Sequence, residues 1–91
     1  MAKIDIERAH GMEPARARAL IDELAASLQG QYGLKHRWRG DALEFSGSGV
    51  DGIIDIGADT VRVTARLGLL LGPLRGKIEQ DIRARLDKYL A

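Results

Sequence analysis

Two histidines, one near-pair of carboxylates and one basic segment are the groups whose chemistry must be accounted for first. His10 and His36 are the natural candidates for a general base, a proton shuttle or a metal ligand. His10 follows an alternating segment at a loop, where base, ligand and cap are all open to it. His36 falls at a core-facing position beside Phe45. Their spacing matches no metal motif, and no Ser, Cys or acid stands where it would nominate a triad, so a structural or surface role is expected for each. The chain has no cysteine, which excludes thiolate nucleophiles, thiolate metal sites and disulfides. Glu44 and Asp51 are expected as direct neighbours in a cross-strand row Arg37, Glu44, Asp51, Arg66. An open, solvated sheet face neither raises a carboxylate's pKa by desolvation nor keeps water from a substrate, so this pair is not assigned acid-base work.

Lys35-His36-Arg37-Trp38-Arg39 interleaves cations with an aromatic, as single-stranded nucleic acid binders do. The strand period separates the two, sending His36 and Trp38 to the core side and Lys35, Arg37 and Arg39 to the other, so stacking platform and charges share no surface. With a formal net charge of +1 the chain also lacks the basic excess of a dedicated nucleic-acid binder. Arg39-Gly40-Asp41 spells an adhesion tripeptide, but Gly and Asp are what a tight hairpin loop needs. Gly47 and Gly49 form no phosphate loop, because no lysine and Ser/Thr follow at the required spacing. No catalytic, cofactor-binding or metal-binding residue is nominated, and the chain is not expected to be an enzyme.

The elements that position these residues follow from periodicity. Lys3 to Arg8 alternates, with Ile4 and Ile6 on one side and Lys3, Asp5 and Glu7 on the other, the period of a half-buried strand. After Pro14, the residues Ala17, Leu20, Ile21, Leu24, Ala25 and Leu28 recur at helical spacing until Gly30, with Arg18 and Asp22 on the opposite face. From Leu34 to Leu67 the period is two, broken at Gly40-Asp41, at Gly47-Ser48-Gly49 and near Gly57-Ala58-Asp59, which predicts four strands in an antiparallel meander. A two-residue loop at Gly40-Asp41 sets Trp38 opposite Leu43, Arg37 opposite Glu44 and His36 opposite Phe45. A loop centred on Ala58-Asp59 sets Ile56 against Val61, Asp55 against Arg62, Ile54 against Val63 and Asp51 against Arg66. Leu74, Ile78, Ile82, Leu86 and Leu90, with Tyr89, mark the stripe of a C-terminal helix. The expected fold is α+β, a two-layer sandwich of order βαββββα with both helices on one face of the sheet, helix-grip-like. At 91 residues it is expected to be one domain, residues 1–91, with one modest core. No apolar run approaches the ~20 residues of a bilayer span and no signal peptide is evident, so a cytoplasmic protein is expected.

Leu67, Leu69, Leu70, Leu71 and Leu74 crowd a strand-to-helix connection with more large apolar groups than it needs. They either finish the last strand and seat the helix in the core, or form an exposed apolar patch for a second copy, a partner protein or a hydrophobic polymer. The second reading makes them a candidate contact surface. An alternative site is a small-molecule cavity between sheet and C-terminal helix, lined by Trp38, Phe45 and Leu86.

Several clusters in order carry a resemblance: Ile6 with Arg8 and His10, then Trp38-Arg39-Gly40-Asp41 with Leu43 and Phe45, then Gly49-Val50 with Gly52. Leu67-Gly68 with Leu70-Leu71, and Lys77-Ile78-Glu79 with Ile82 and Leu86, complete it. In these the chain resembles, over nearly its whole length, the polyhydroxyalkanoic acid system family, small bacterial proteins named for their association with storage-polyester synthesis. The resemblance implies a cytosolic protein linked to polyhydroxyalkanoate granules or their regulation, with the granule surface or a granule protein as partner. It implies no catalytic activity, cofactor or binding residue. A homodimer is compatible with the leucine patch, whereas nucleic-acid partners and a bilayer span are not expected.

Overall fold

A computed structural model describes residues 2–47 and 49–90. Met1 and Ala91 at the ends, and Ser48 in the expected Gly47-Ser48-Gly49 turn, lie outside the described residues. The order is β1 (Ala2–Ala9), α1 (Pro14–Tyr32), β2 (Lys35–Arg39), β3 (Ala42–Gly47), β4 (Val50–Ile56), β5 (Thr60–Leu67), a short 3-10 turn (Gly72–Leu74) and α2 (Arg75–Leu90). This is the expected βαββββα order and an α+β fold. The five strands form one antiparallel sheet in the order β1-β5-β4-β3-β2, so the first strand closes the meander beside the last.

Both hairpin registers are as the side-chain pattern predicts: Trp38 opposite Leu43 and Arg37 opposite Glu44 in one, Ile56 opposite Val61 and Asp55 opposite Arg62 in the other. The turn between β3 and β4 differs. Gly47 still belongs to β3 and pairs with Val50, so Glu44 faces Ile53 while Asp51 faces Ser46. Setting Glu44 against Asp51 needs a turn centred one residue earlier. The two carboxylates are therefore diagonal neighbours, and the row expected to run Arg37, Glu44, Asp51, Arg66 divides into two.

α1 runs past Gly30 to Tyr32 and ends at Gly33, whose φ of 68° lets its N–H reach the Gln29 carbonyl at 2.9 Å. Gly30 is an ordinary helical residue here, since only a glycine in the left-handed region terminates the helix. The buried stripe Ala17, Ile21, Leu24, Ala25 and Leu28 of α1 and the residues Ile82, Leu86 and Leu90 of α2 cover the inward sheet face of Ile4, Ile6, Leu43, Ile54, Val61 and Val63. Arg85 of α2 clips the helices together, donating to Ser27 and Gln31 of α1 and, at 3.2 Å, to Asp81. Asp81 also accepts from the Tyr32 hydroxyl, and that bond holds the phenol above its ordinary value.

On the outward face Arg62 grips Asp5 across β5 and β1 with two bonds, of 2.8 and 3.1 Å. This bidentate bond, opposed by some desolvation, lowers the Asp5 carboxyl below its ordinary 3.8. A depressed folded-state pKa makes the unfolded chain bind more protons below pH 3.8. The pair's contribution is therefore complete above that pH and is lost as the pH falls through the folded value. In a carboxyl NMR titration Asp5 should protonate below 3.8, and Arg62→Gln should return it toward that value and flatten the acid limb of the stability profile.

Candidate functional site

The histidine expected to be most open to chemistry is occupied by structure. His10 is 7% exposed just past β1, and its Nε2 lies 2.9 Å from the Gly57 carbonyl while its Nδ1 lies 3.1 Å from the Met12 backbone N–H. A carbonyl only accepts and an amide N–H only donates, so the proton sits on Nε2 and both nitrogens are engaged. With its own N–H bonded to Asp59 O at 2.9 Å, His10 pins the end of β1 to the β4–β5 turn. His10→Ala leaves Gly57 O and Met12 N–H without these partners and should lower unfolding stability by about 1–3 kcal/mol in urea titration. His36 is half-buried at the edge of the inward face, with Nδ1 buried and unpartnered among the described residues. Among the described residues no three His, Cys, Asp or Glu side chains gather closely enough to hold a metal ion.

The outward sheet face carries an open depression of about 750 Å³ lined by Lys35, Arg37, Glu44, Asp51, Ile53 and Arg66 with their neighbours. Its carboxylates are not arranged as a catalytic pair. Glu44 is held by Arg39 at 3.0 Å and Arg37 at 3.5 Å, and Asp51 faces Ser46 and Arg66 across the strands.

Of the alternative cavity residues, Phe45 and Leu86 are members of one continuous core, at 6% and 0% exposure. Trp38 is half-buried against its edge and is held by α1. Its indole N–H donates to Asp22 at 2.9 Å, and the Arg18 guanidinium lies 4.3 Å from its ring centre. Arg18 and Asp22, expected as decoration of the opposite helix face, are the side chains that orient the tryptophan. Their helical spacing shows that they share a flank but not which strand that flank meets.

The five leucines separate into two groups. Leu67 is the last residue of β5 and is fully buried, which removes it from any contact surface, and Leu71 is half-buried against the core. Leu69 and Leu70 are 87% and 93% exposed, and Leu74 is partly exposed. The cause is local. The Gly68 carbonyl accepts from the N–H groups of Leu71 at 3.1 Å and Gly72 at 3.0 Å, closing a turn whose two corner residues are Leu69 and Leu70. Gly68 N–H bonds Gly49 O at 2.8 Å, fastening this turn to the β3–β4 connection. Such corners usually carry Gly, Pro, Asn, Asp or Ser; two adjacent leucines gain nothing there for the fold and leave apolar surface in water.

A small α+β fold of one antiparallel sheet under two helices, with an exposed apolar turn at one end, is the class of protein these features define. The chain belongs to the polyhydroxyalkanoic acid system protein family: the family model described as "Putative polyhydroxyalkanoic acid system protein" matches residues 4–90. That description names a polymer system and no reaction. No curated protein and no solved structure matches the chain. Among the described residues no helix is long and apolar enough to cross a membrane.

Proposed function

We propose that the protein is a non-enzymatic accessory or regulatory protein of polyhydroxyalkanoate storage metabolism, acting in the cytoplasm at the granule by laying the Leu69–Leu70 turn, with Leu74, on the apolar polymer surface. The observation that carries this reading is the near-complete exposure of two adjacent leucines at a turn corner that nothing in the fold requires to be apolar. Family membership supplies the polymer. Burial of both side chains supplies an association that ionic strength does not weaken, because its origin is hydrophobic.

Cosedimentation of the purified chain with bare polyhydroxyalkanoate particles tests it. Saturable binding that persists at high salt is expected. A chain that stays in the supernatant, or that associates only with itself as its concentration rises, contradicts the polymer contact and points to a soluble partner or a second copy.

A further inference from the structure

Unpaired positive charge gathers at the end of the sheet that carries the leucine turn. The last outward-facing row at that end is Lys35, Ser46, Asp51, Arg66 and Lys3, one residue from each strand in sheet order. It borders the row Gly47, Val50, Leu67 and Ala2, from which Gly68 leads into the turn. Lys77 at the start of α2 continues it, while Arg75 beside it pairs with Glu79 at 3.7 Å and its Nε donates to the Lys3 carbonyl at 2.7 Å, drawing the two elements together.

Elsewhere all the arginines but Arg16 are paired among the described residues. Arg8 pairs with Asp87, Arg18 with Asp41, Arg37 and Arg39 with Glu44, Arg62 with Asp5, Arg83 with Glu79 and Arg85 with Asp81. Among the described residues Lys3, Lys35, Arg66 and Lys77 are exposed and form no salt bridge, and Asp51 is the acid in their midst. The other cations that form no salt bridge among the described residues, Arg16 and Lys88, lie at the opposite end, at the start of α1 and the finish of α2. The first turn of α2 has no acid, although the helix dipole favours one there, so helix stability does not account for Lys77, whereas Arg75 forms an i,i+4 pair with Glu79.

We propose that this end of the molecule docks on an anionic lipid surface. Leu69 and Leu70 enter the acyl boundary, and Lys3, Lys35, Arg66 and Lys77 lie against the headgroups. The inference rests on the turn being the contact surface, as in the reading above, and adds the chemistry of what it meets. Apolar insertion and basic attraction are each weak anchors alone, and stable interfacial binding takes both. The turn and its collar of cations supply the two together.

The test uses the full chain and sedimented vesicles of equal parts phosphatidylglycerol and phosphatidylcholine, against vesicles of phosphatidylcholine alone. Binding to the anionic vesicles should be saturable and fall with added salt. Lys35→Gln with Lys77→Gln should weaken it by roughly thirtyfold. Arg16→Gln with Lys88→Gln, which removes the same charge from the other end, should change it by less than about twofold, with all variants shown to be folded by circular dichroism. Equal losses from the two pairs overturn the proposal, since net charge alone then explains binding; so does equal binding to both vesicle types. Binding to bare polymer particles with none to anionic vesicles overturns the lipid docking and leaves the polymer contact standing, whereas failure on both surfaces removes both.

Discussion

Replacing Gly52 with alanine should destabilise the protein by on the order of 2–3 kcal/mol, a large effect for one methyl group. Gly52 lies on the inward face of β4 directly opposite Phe45. A Cβ built there would stand 2.2 Å from the ring's Cζ and 2.7 Å from both Cε atoms. The ring lies on the bare glycine backbone, and at 6% exposure it has no route out except by leaving the core. Glycine within a strand is ordinarily a weakness, costing about 0.5–1 kcal/mol relative to alanine, and an aromatic packed over it from the paired strand offsets the loss. Phe45→Ala alone should cost about 3–5 kcal/mol. In the double variant the added methyl has room, so the combined loss should fall short of the sum of the two. Urea unfolding of the four proteins measures this coupling, and a Gly52→Ala variant as stable as the parent would mean that the ring does not pack on this strand.

The second large effect is on binding rather than folding. Leu69→Ser with Leu70→Ser should leave stability within about 0.5 kcal/mol of the parent, because both side chains are already in water. The same variant should bind bare polymer at least about a hundredfold more weakly, since each leucine contributes roughly 1.5–3 kcal/mol when fully buried. Leu67→Ala provides the contrast. It is buried at the end of β5, so its loss should cost about 2–5 kcal/mol of stability by opening the core. Leu71 is left intact in the test, because it packs against the core and its Cδ1 would lie 3.5 Å from a Cβ at Gly49. A folded Leu69→Ser, Leu70→Ser variant that binds polymer as well as the parent would mean that the contact lies elsewhere.

The strands were legible because their registers are over-determined. A one-residue slip at Gly40-Asp41 or Ala58-Asp59 would turn Trp38, Leu43, Ile54 and Val63 to water at once, so only one pairing satisfies the pattern. The β3–β4 turn was harder, because three small residues in a row allow more than one centre. The pattern alone allows Glu44 and Asp51 to stand directly opposite, where the chain makes them diagonal. Gly30 and Gly33 both qualify as helix terminators by type, and only backbone conformation distinguishes them. The candidate site was legible as a group of leucines but not as a division between them. Burial of Leu67 and exposure of Leu69 and Leu70 follow from a turn closed on the Gly68 carbonyl, and a run of apolar residues does not announce a turn. The basic row beside it was hidden for a related reason: it joins residues from β1, β2 and β5 that only the full strand order brings into line.

The absence of native cysteine makes a direct measurement of the contact possible. Leu70→Cys, labelled with a polarity-sensitive fluorophore and mixed with bare polyhydroxyalkanoate particles, should shift its emission to the blue in proportion to the protein bound. The same label at Ala58→Cys, on the exposed β4–β5 turn at the far end of the sheet, should keep the emission it has in water. A blue shift at position 70 alone is the result predicted. Particle-bound protein whose label at position 70 stays in water would contradict the account.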